Sequence, residues 1–241
     1  MTEHNCNIRL RDSLLEVYQR LYDHFGPRRW WPADTAFEMI IGAILTQNVS
    51  WKGAVRAIDN LKAEGWLDAG AIVAAPQEKL AEVLRPARYN FQKAQKLKDF
   101  CRVLLDEHNG DLKEFLSQET GFLRGRLLAI RGIGPETADC IILYAAEKPI
   151  FVVDAYTHRI FNRLGYFPER IKYGAMQEFF MQHLPHDVRL FNEYHAQIDA
   201  LGHRICLKKA PHCAECPISR YCREAAANEA EEGQNAQRES G

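Results

Sequence analysis

The stretch "AIRGIGPETADCII", residues 129–142, sets the reading of the whole chain. Leu127, Leu128 and Ile130 end one apolar helical face, and Ala138, Ile141 and Ile142 continue another. Between them, Gly132-Ile133-Gly134 predicts a tight turn, because glycine permits positive φ and close backbone approach. Pro135 suits the first turn of the next helix, where its missing N–H has no partner within the helix. The expectation is a hairpin of two helices. Free backbone N–H groups in such a turn, with the following helix N-terminus, can cradle a phosphate. That contact positions a nucleic acid without reading its sequence. An ordinary helix–helix turn accounts for the same glycines, and the turn alone does not decide between the two.

Helical periodicity extends in both directions. Ile8, Leu10, Leu14, Leu15, Tyr18, Leu21, Tyr22 and Phe25 form one apolar face, stopped at Gly26-Pro27. A second helix starts at Thr35, with Glu38 at capping-box spacing, and Phe37–Leu45 is apolar enough to be buried all round. Pro76 opens a short helix through Leu84, and 88–108 reads as a long helix with a basic outer face. Further helices are expected near 121–129, 135–146, 155–164, 172–183 and 187–203. "PIFVVD" is the one β-branched run. The fold class is all-α.

The chain has 241 residues, 46% of them hydrophobic, and a formal net charge of -1, so the total charge names no partner. Its distribution is more informative: 85–102 is strongly basic, and 223–241 is acidic, polar and expected to be disordered. No apolar run reaches the roughly 18 residues of a membrane helix, and the start lacks a signal-peptide core. A cytoplasmic protein of the bacterial cytosol or nucleoid is expected, with no membrane partner. Seven cysteines in a reducing compartment do not suggest a disulfide framework. Four of them, Cys206, Cys213, Cys216 and Cys222, are separated by six, two and five residues. Spacing alone leaves zinc and an iron–sulfur cluster open.

Residues 152–159, "VVDAYTHR", place Asp154 eighteen residues after Glu136. "IRGIGPETAD" followed by "VVDAYTHR", with "ILTQN" at 44–48 and "ARYNFQKAQKL" at 87–97, resembles the helix-hairpin-helix base-excision DNA glycosylases of the endonuclease III superfamily. The resemblance runs from about Ala36 to Cys222. It implies cleavage of the bond between a damaged base and its deoxyribose, on a base flipped out of the duplex. It makes Asp154 the carboxylate that stabilises the sugar cation and orients or deprotonates water. A helix N-cap is the other role open to that residue. Strand-nicking members carry a lysine in the hairpin that forms a Schiff base. Glu136 stands there instead, so the resemblance implies a monofunctional glycosylase without AP lyase activity. Glu136 suits a helix N-terminus; direct catalysis by it is the less favoured role, and a lysine from elsewhere would undo the prediction.

The same resemblance implies a [4Fe–4S] cluster on Cys206, Cys213, Cys216 and Cys222, tying down a loop that presents Arg204, Lys208 and Lys209 to phosphates. Gly132, Gly134 and Thr137 of the hairpin are the other expected phosphate contacts. Gln47 resembles the residue that fills the gap left by the flipped base. Trp30 and Trp31 resemble a Trp-Trp-Pro segment lining the base pocket of a 3-methyladenine glycosylase branch, which suits a cationic alkylated purine. Packing between domains is their alternative role, and that branch does not usually carry the cluster. Tyr156 is placed near the site, while His195, His203 and His212 show no metal-ligand spacing.

The expected architecture has a lobe of residues 36–148 ending in the hairpin and a lobe of 1–35 plus 149–222 holding the cluster. Double-stranded DNA with a damaged base would lie across a groove between them, bound by a monomer. Two enzymatic alternatives remain: a bifunctional glycosylase/AP lyase on oxidised pyrimidines, and a uracil or thymine mismatch glycosylase. A DNA-structure-binding protein with a structural metal is the non-enzymatic alternative.

Overall fold

The computed structural model describes residues 3–226 except Arg29, with side chains from Ile8 onward. Twelve α-helices follow in chain order: α1 Glu3–Phe25, α2 Ala36–Leu45, α3 Trp51–Ala63, α4 Ala69–Ala74, α5 Gln77–Val83 and α6 Asn90–His108; then α7 Leu112–Ser117, α8 Thr120–Ala129, α9 Pro135–Cys140, α10 Ala155–Arg163, α11 Tyr173–His183 and α12 Val188–Arg204. A π-helical stretch, Ile141–Ala145, extends α9. No strand occurs among the described residues, so the fold is all-α. "PIFVVD" is an irregular connection whose Ile150–Val153 are buried.

The chain divides into two compact units, residues 1–30 with 151–241, and residues 31–150. Within 31–150, α2 starts as its sequence predicts: the Thr35 hydroxyl accepts the Glu38 N–H at 3.1 Å. Every α2 residue from Glu38 to Leu45 is buried, and α2 packs on α3, α6 and the π-helical stretch. The helix α3 was absent from the sequence reading, although Ala54, Ala57, Ile58 and Leu61 trace its buried stripe.

The basic face expected over 85–102 is corrected in two ways. The helix begins at Asn90, because Arg88 (φ 54°) and Tyr89 (φ 44°) take left-handed backbone that interrupts it. Two of its lysines also turn inward. Lys93 donates to the Leu45 and Ala87 carbonyls, each at 2.6 Å, and Lys98 donates to the Val73 and Ala75 carbonyls. Both are buried, satisfying backbone oxygens left over where helices end. Arg85, Arg88 and Arg102 remain exposed.

In the other unit, α12 packs on α10 and α1. The Tyr194 hydroxyl donates to the Leu14 carbonyl at 2.8 Å. Its core is aromatic: Phe151 stacks on Phe180 at 4.1 Å, and Phe161 meets Phe180 edge-on at 4.8 Å. Pairs of this kind contribute about 0.5–1.5 kcal/mol each beyond area burial. The segment leading to Asp154 is pinned to that core. Gln177 donates to the Phe151 carbonyl at 2.7 Å, and the Val153 N–H donates to the Tyr173 hydroxyl at 3.4 Å. Of the polar tail expected over 223–241, residues 223–226 instead form a helical turn with Ala225 buried. The rest of that tail, 227–241, lies outside the described residues.

Candidate active site

Asp154 is the N-cap of α10. Its Oδ1 accepts the Thr157 N–H at 2.6 Å and the Thr157 hydroxyl at 2.7 Å. Its Oδ2 lies 3.7 Å from His195 Nε2, an ion-pair distance rather than a hydrogen bond. The Asp154 side chain is only 14% exposed. Burial pushes its carboxyl up, but the His195 ring and the two Thr157 donors outweigh burial and hold it below the usual carboxylate range. The cap therefore fixes one oxygen and helps to keep the group ionised.

Tyr156, on the first turn of α10, turns to α12. Its hydroxyl is 2.9 Å from His203 Nδ1. Its ring covers Gly202, where an added Cβ would come within 2.5 Å of it. Arg159 donates to the Gly202 and Cys206 carbonyls at 2.7 and 2.9 Å, closing the C-terminal end of α12.

At the hairpin, Gly132 takes φ +86°, and a Cβ there would lie 2.6–2.8 Å from the Lys96 stem. Gly134 differs: its backbone is extended and the space around it is open, so only the first glycine of the turn is demanded by conformation. Gln47 reaches the turn from the end of α2. Its amide nitrogen donates to the Gly132 carbonyl at 3.1 Å and to the Thr137 hydroxyl at 2.9 Å, while its oxygen accepts from Lys96. Thr137 is buried with its hydroxyl engaged by Gln47. Glu136 is exposed in the first turn of α9. Arg124 holds α8 to α9 through a bidentate pair with fully buried Asp139, at 2.7 and 3.1 Å.

Cys206, Cys213, Cys216 and Cys222 line one cavity with Arg163. Arg163 donates to Cys206 Sγ at 3.3 Å and to the Leu207 carbonyl at 2.8 Å. Burial pushes the Cys216 thiol up to about 11, and the other three cysteines add to the rise, so all four lie within electrostatic range. No group of three or more His, Cys, Asp or Glu side chains among the described residues is placed to hold a single metal ion. Arg204, Lys208 and Lys209 are exposed beside this loop, with Arg204 5.9 Å from the Phe25 ring. In the other unit, Trp31 meets Trp51 edge-on at 5.1 Å and Tyr144 at 5.5 Å. Trp30 ends the first segment of the unit formed by residues 1–30 and 151–241 and is half-buried.

Residues 41–186 match the HhH-GPD superfamily base excision DNA repair protein family. The chain belongs to that superfamily. It is 43% identical over 213 residues to the Methanocaldococcus jannaschii "Putative DNA repair glycosylase", covering 88% of this chain and 96% of that one. It is 30% identical over 188 residues to endonuclease III of Sulfolobus acidocaldarius, covering 78% and 81%. Among solved structures it is similar to the H. pylori 3-methyladenine DNA glycosylase MagIII bound to 1,N6-ethenoadenine, with a TM-score of 0.68, 27% identity and coverage of 81% and 96%. The family is that of the base-excision DNA glycosylases, enzymes that act on DNA.

Within this glycosylase, Gln47, Gly132 and Thr137 are brought together, as are the four cysteines. Asp154 and Tyr156 share the start of α10 but face different partners. Sequence reasoning did not connect Lys96 with Gln47, Arg163 with the cysteine loop or His195 with Asp154. Arg88 and Tyr89, inside the basic stretch 85–102, are exposed on consecutive residues of positive φ that the helical reading of 88–108 did not anticipate. The signal at Tyr89 was available: an exposed aromatic beside arginines.

Proposed function

We propose that this chain is a monofunctional DNA glycosylase that hydrolyses the N-glycosidic bond of an alkylated purine in double-stranded DNA. The observation that carries the reading is Asp154, a largely buried carboxylate held ionised by His195 and Thr157. As the C1′–N bond breaks, its electron pair leaves with the base and positive charge builds on the sugar. A preorganised carboxylate beside it stabilises that charge. Water then bonds to C1′, and its proton passes to Asp154 and on to solvent. Glu136 stands where a Schiff-base lysine would be needed, and a carboxylate forms no imine. An alkylated purine is already a good leaving group, and the Trp31, Trp51 and Tyr144 rings suit a cationic base. The similar H. pylori protein being a 3-methyladenine DNA glycosylase supports the same substrate class.

Phosphates of the duplex would be held by Gly132 and Gly134 in the hairpin and by Arg204, Lys208 and Lys209 beside the cysteine loop, which makes binding salt-dependent. Cys206, Cys213, Cys216 and Cys222 would hold a [4Fe–4S] cluster. A cube offers one iron to each thiolate, so four thiols around a shared cavity suit it without converging on one ion. When bound, it would supply four cross-links to the loop. The protein would act as a monomer in the cytoplasm; no helix among the described residues is long and apolar enough to cross a membrane.

A base-release panel on duplexes carrying alkylated, oxidised and deaminated bases tests the reading. Fastest release is expected from alkylated purine, and Asp154→Asn should lower the rate about 100-fold or more while duplex binding persists. Equal release by Asp154→Asn removes the assignment. One observation favours a second reading, a glycosylase with AP lyase activity: the Lys96 stem lies over Gly132, and burial lowers its amine below the ordinary lysine range. Borohydride trapping on abasic DNA separates the two, since a covalent adduct lost in Lys96→Met would select the lyase.

A further inference from the structure

Beside Asp154 lies a polar pair on α12. His195 and Asp199 stand one turn apart on α12, on one face of the helix. His195 is 6% exposed, and its Nε2 is 3.7 Å from Asp154 Oδ2. Asp199 interacts electrostatically with both His195 and Asp154. One histidine therefore serves two carboxylates. The Asp154 oxygen that it faces is the one Thr157 leaves alone, since both Thr157 donors go to Oδ1.

We propose that His195 is a positioning residue for Asp154: its ring nitrogen stands 3.7 Å from the oxygen that Thr157 leaves uncapped and orients that oxygen. The proposal rests on Asp154 being the catalytic carboxylate. A buried carboxylate with only neutral donors on one oxygen would take up a proton more readily, and a protonated Asp154 cannot steady a sugar cation. Asp199, one turn further along α12, interacts with the same histidine. Its own carboxyl is pushed up first by burial, with Asp154 adding to the rise and His195, His203 and Arg28 opposing it. The groups that act on Asp154 are thus His195 and Asp199 from α12 and Thr157 and Tyr156 from its own helix, while His203 and Arg28 act on Asp199.

The test is the pH profile of single-turnover base release by the full chain, on the lesion duplex that the wild-type protein cleaves fastest. His195→Leu keeps bulk and removes the ring nitrogen that approaches Asp154; His195→Gln keeps a neutral polar group there. The acid limb is expected to move to higher pH by about one unit in His195→Leu and by less in His195→Gln. Rates on the high-pH plateau should stay within about threefold of wild type, and binding to a duplex with an abasic-site analogue should be unchanged. A merely structural histidine would lower rates equally at every pH. Profiles that superimpose on wild type after scaling overturn the proposal, and so does an equal shift in both variants. If His195→Leu does not fold by thermal melting, the smaller shift in His195→Gln carries the test, and its absence overturns the proposal. Asp154→Asn in the same assay separates the two levels. Full activity there means the catalytic reading has failed. Loss of activity there without a shift in the His195 variants means only this inference has failed.

Discussion

Around Gly132, position is set by shape. Gln47 uses its amide nitrogen and its oxygen to tie the end of α2 to the turn, and the Lys96 stem fills the space a side chain at residue 132 would need. Around Asp154, position is set by charge. One oxygen is capped by Thr157, the other faces His195, and a second carboxylate shares that histidine. The hairpin should therefore fail when volume is added and be comparatively indifferent to acid. The Asp154 face should tolerate small changes of shape and respond to any change in donors or charge. A repair enzyme has reason to separate the two. On the function proposed above, a hairpin that holds a backbone phosphate would need a fixed surface, whereas an Asp154 that stabilises a transient cation would need to stay ionised away from water.

The largest effect should come from Gly132→Ala. Alanine at φ +86° is strained, and its Cβ would displace the Lys96 stem and draw the amine from Gln47. A loss of about 3 kcal/mol is expected in denaturant unfolding. Adding Lys96→Ala should recover the steric part and leave the backbone part, an interaction energy that a double-mutant cycle reads directly. Gly132→Ala as stable as wild type would end the claim that shape governs the hairpin. Gly134→Ala, with open space and extended backbone, should cost far less.

Lys93→Met comes next. The buried Lys93 amine is lowered to about 8, by burial first and then by Lys96. Its ordinary value is 10.5, so between pH 8 and 10.5 the unfolded chain holds more of this proton than the folded one. Its contribution makes stability rise with pH across that window. Lys93→Met should flatten that rise. At pH 7 it should also cost about 2 kcal/mol, because the Leu45 and Ala87 carbonyls lose their donor. An unchanged slope between pH 8 and 10.5 would show that Lys93 does not titrate there.

The local rules were legible because they act over a few residues. Thr35 and Glu38 announced the start of α2, Pro135 the start of α9, and Asp154 the start of α10. The all-α fold followed from helical periodicity and the near absence of β-branched runs. What escaped is carried by partners distant in sequence. Lys93 and Lys98 look like a solvated basic face until α2 and the end of α4 bring carbonyls to them. His195 lies 41 residues beyond Asp154 with no spacing that connects them. Arg163 reaches Cys206 across 43 residues. Burial of long cationic side chains is decided by where other helices end, which no local pattern encodes.

Two neighbours on α10 give the finest test of the contrast. Thr157→Val removes the hydroxyl donor to Asp154 Oδ1 and leaves the backbone donor in place. Loss of one of two donors should cost about 1 kcal/mol and move the acid limb of base release to higher pH, in the same direction as loss of His195 and to a smaller extent. Tyr156→Phe removes only the hydroxyl that meets His203 at the surface, and the ring that covers Gly202 stays. Stability should change by less than about 0.5 kcal/mol, and the pH profile should not move. The two variants sit one residue apart, are similar in size to what they replace, and differ in whether the lost group touches Asp154. A shift in Tyr156→Phe equal to that in Thr157→Val would mean that the whole face of α10, rather than the donors on Asp154, sets its charge.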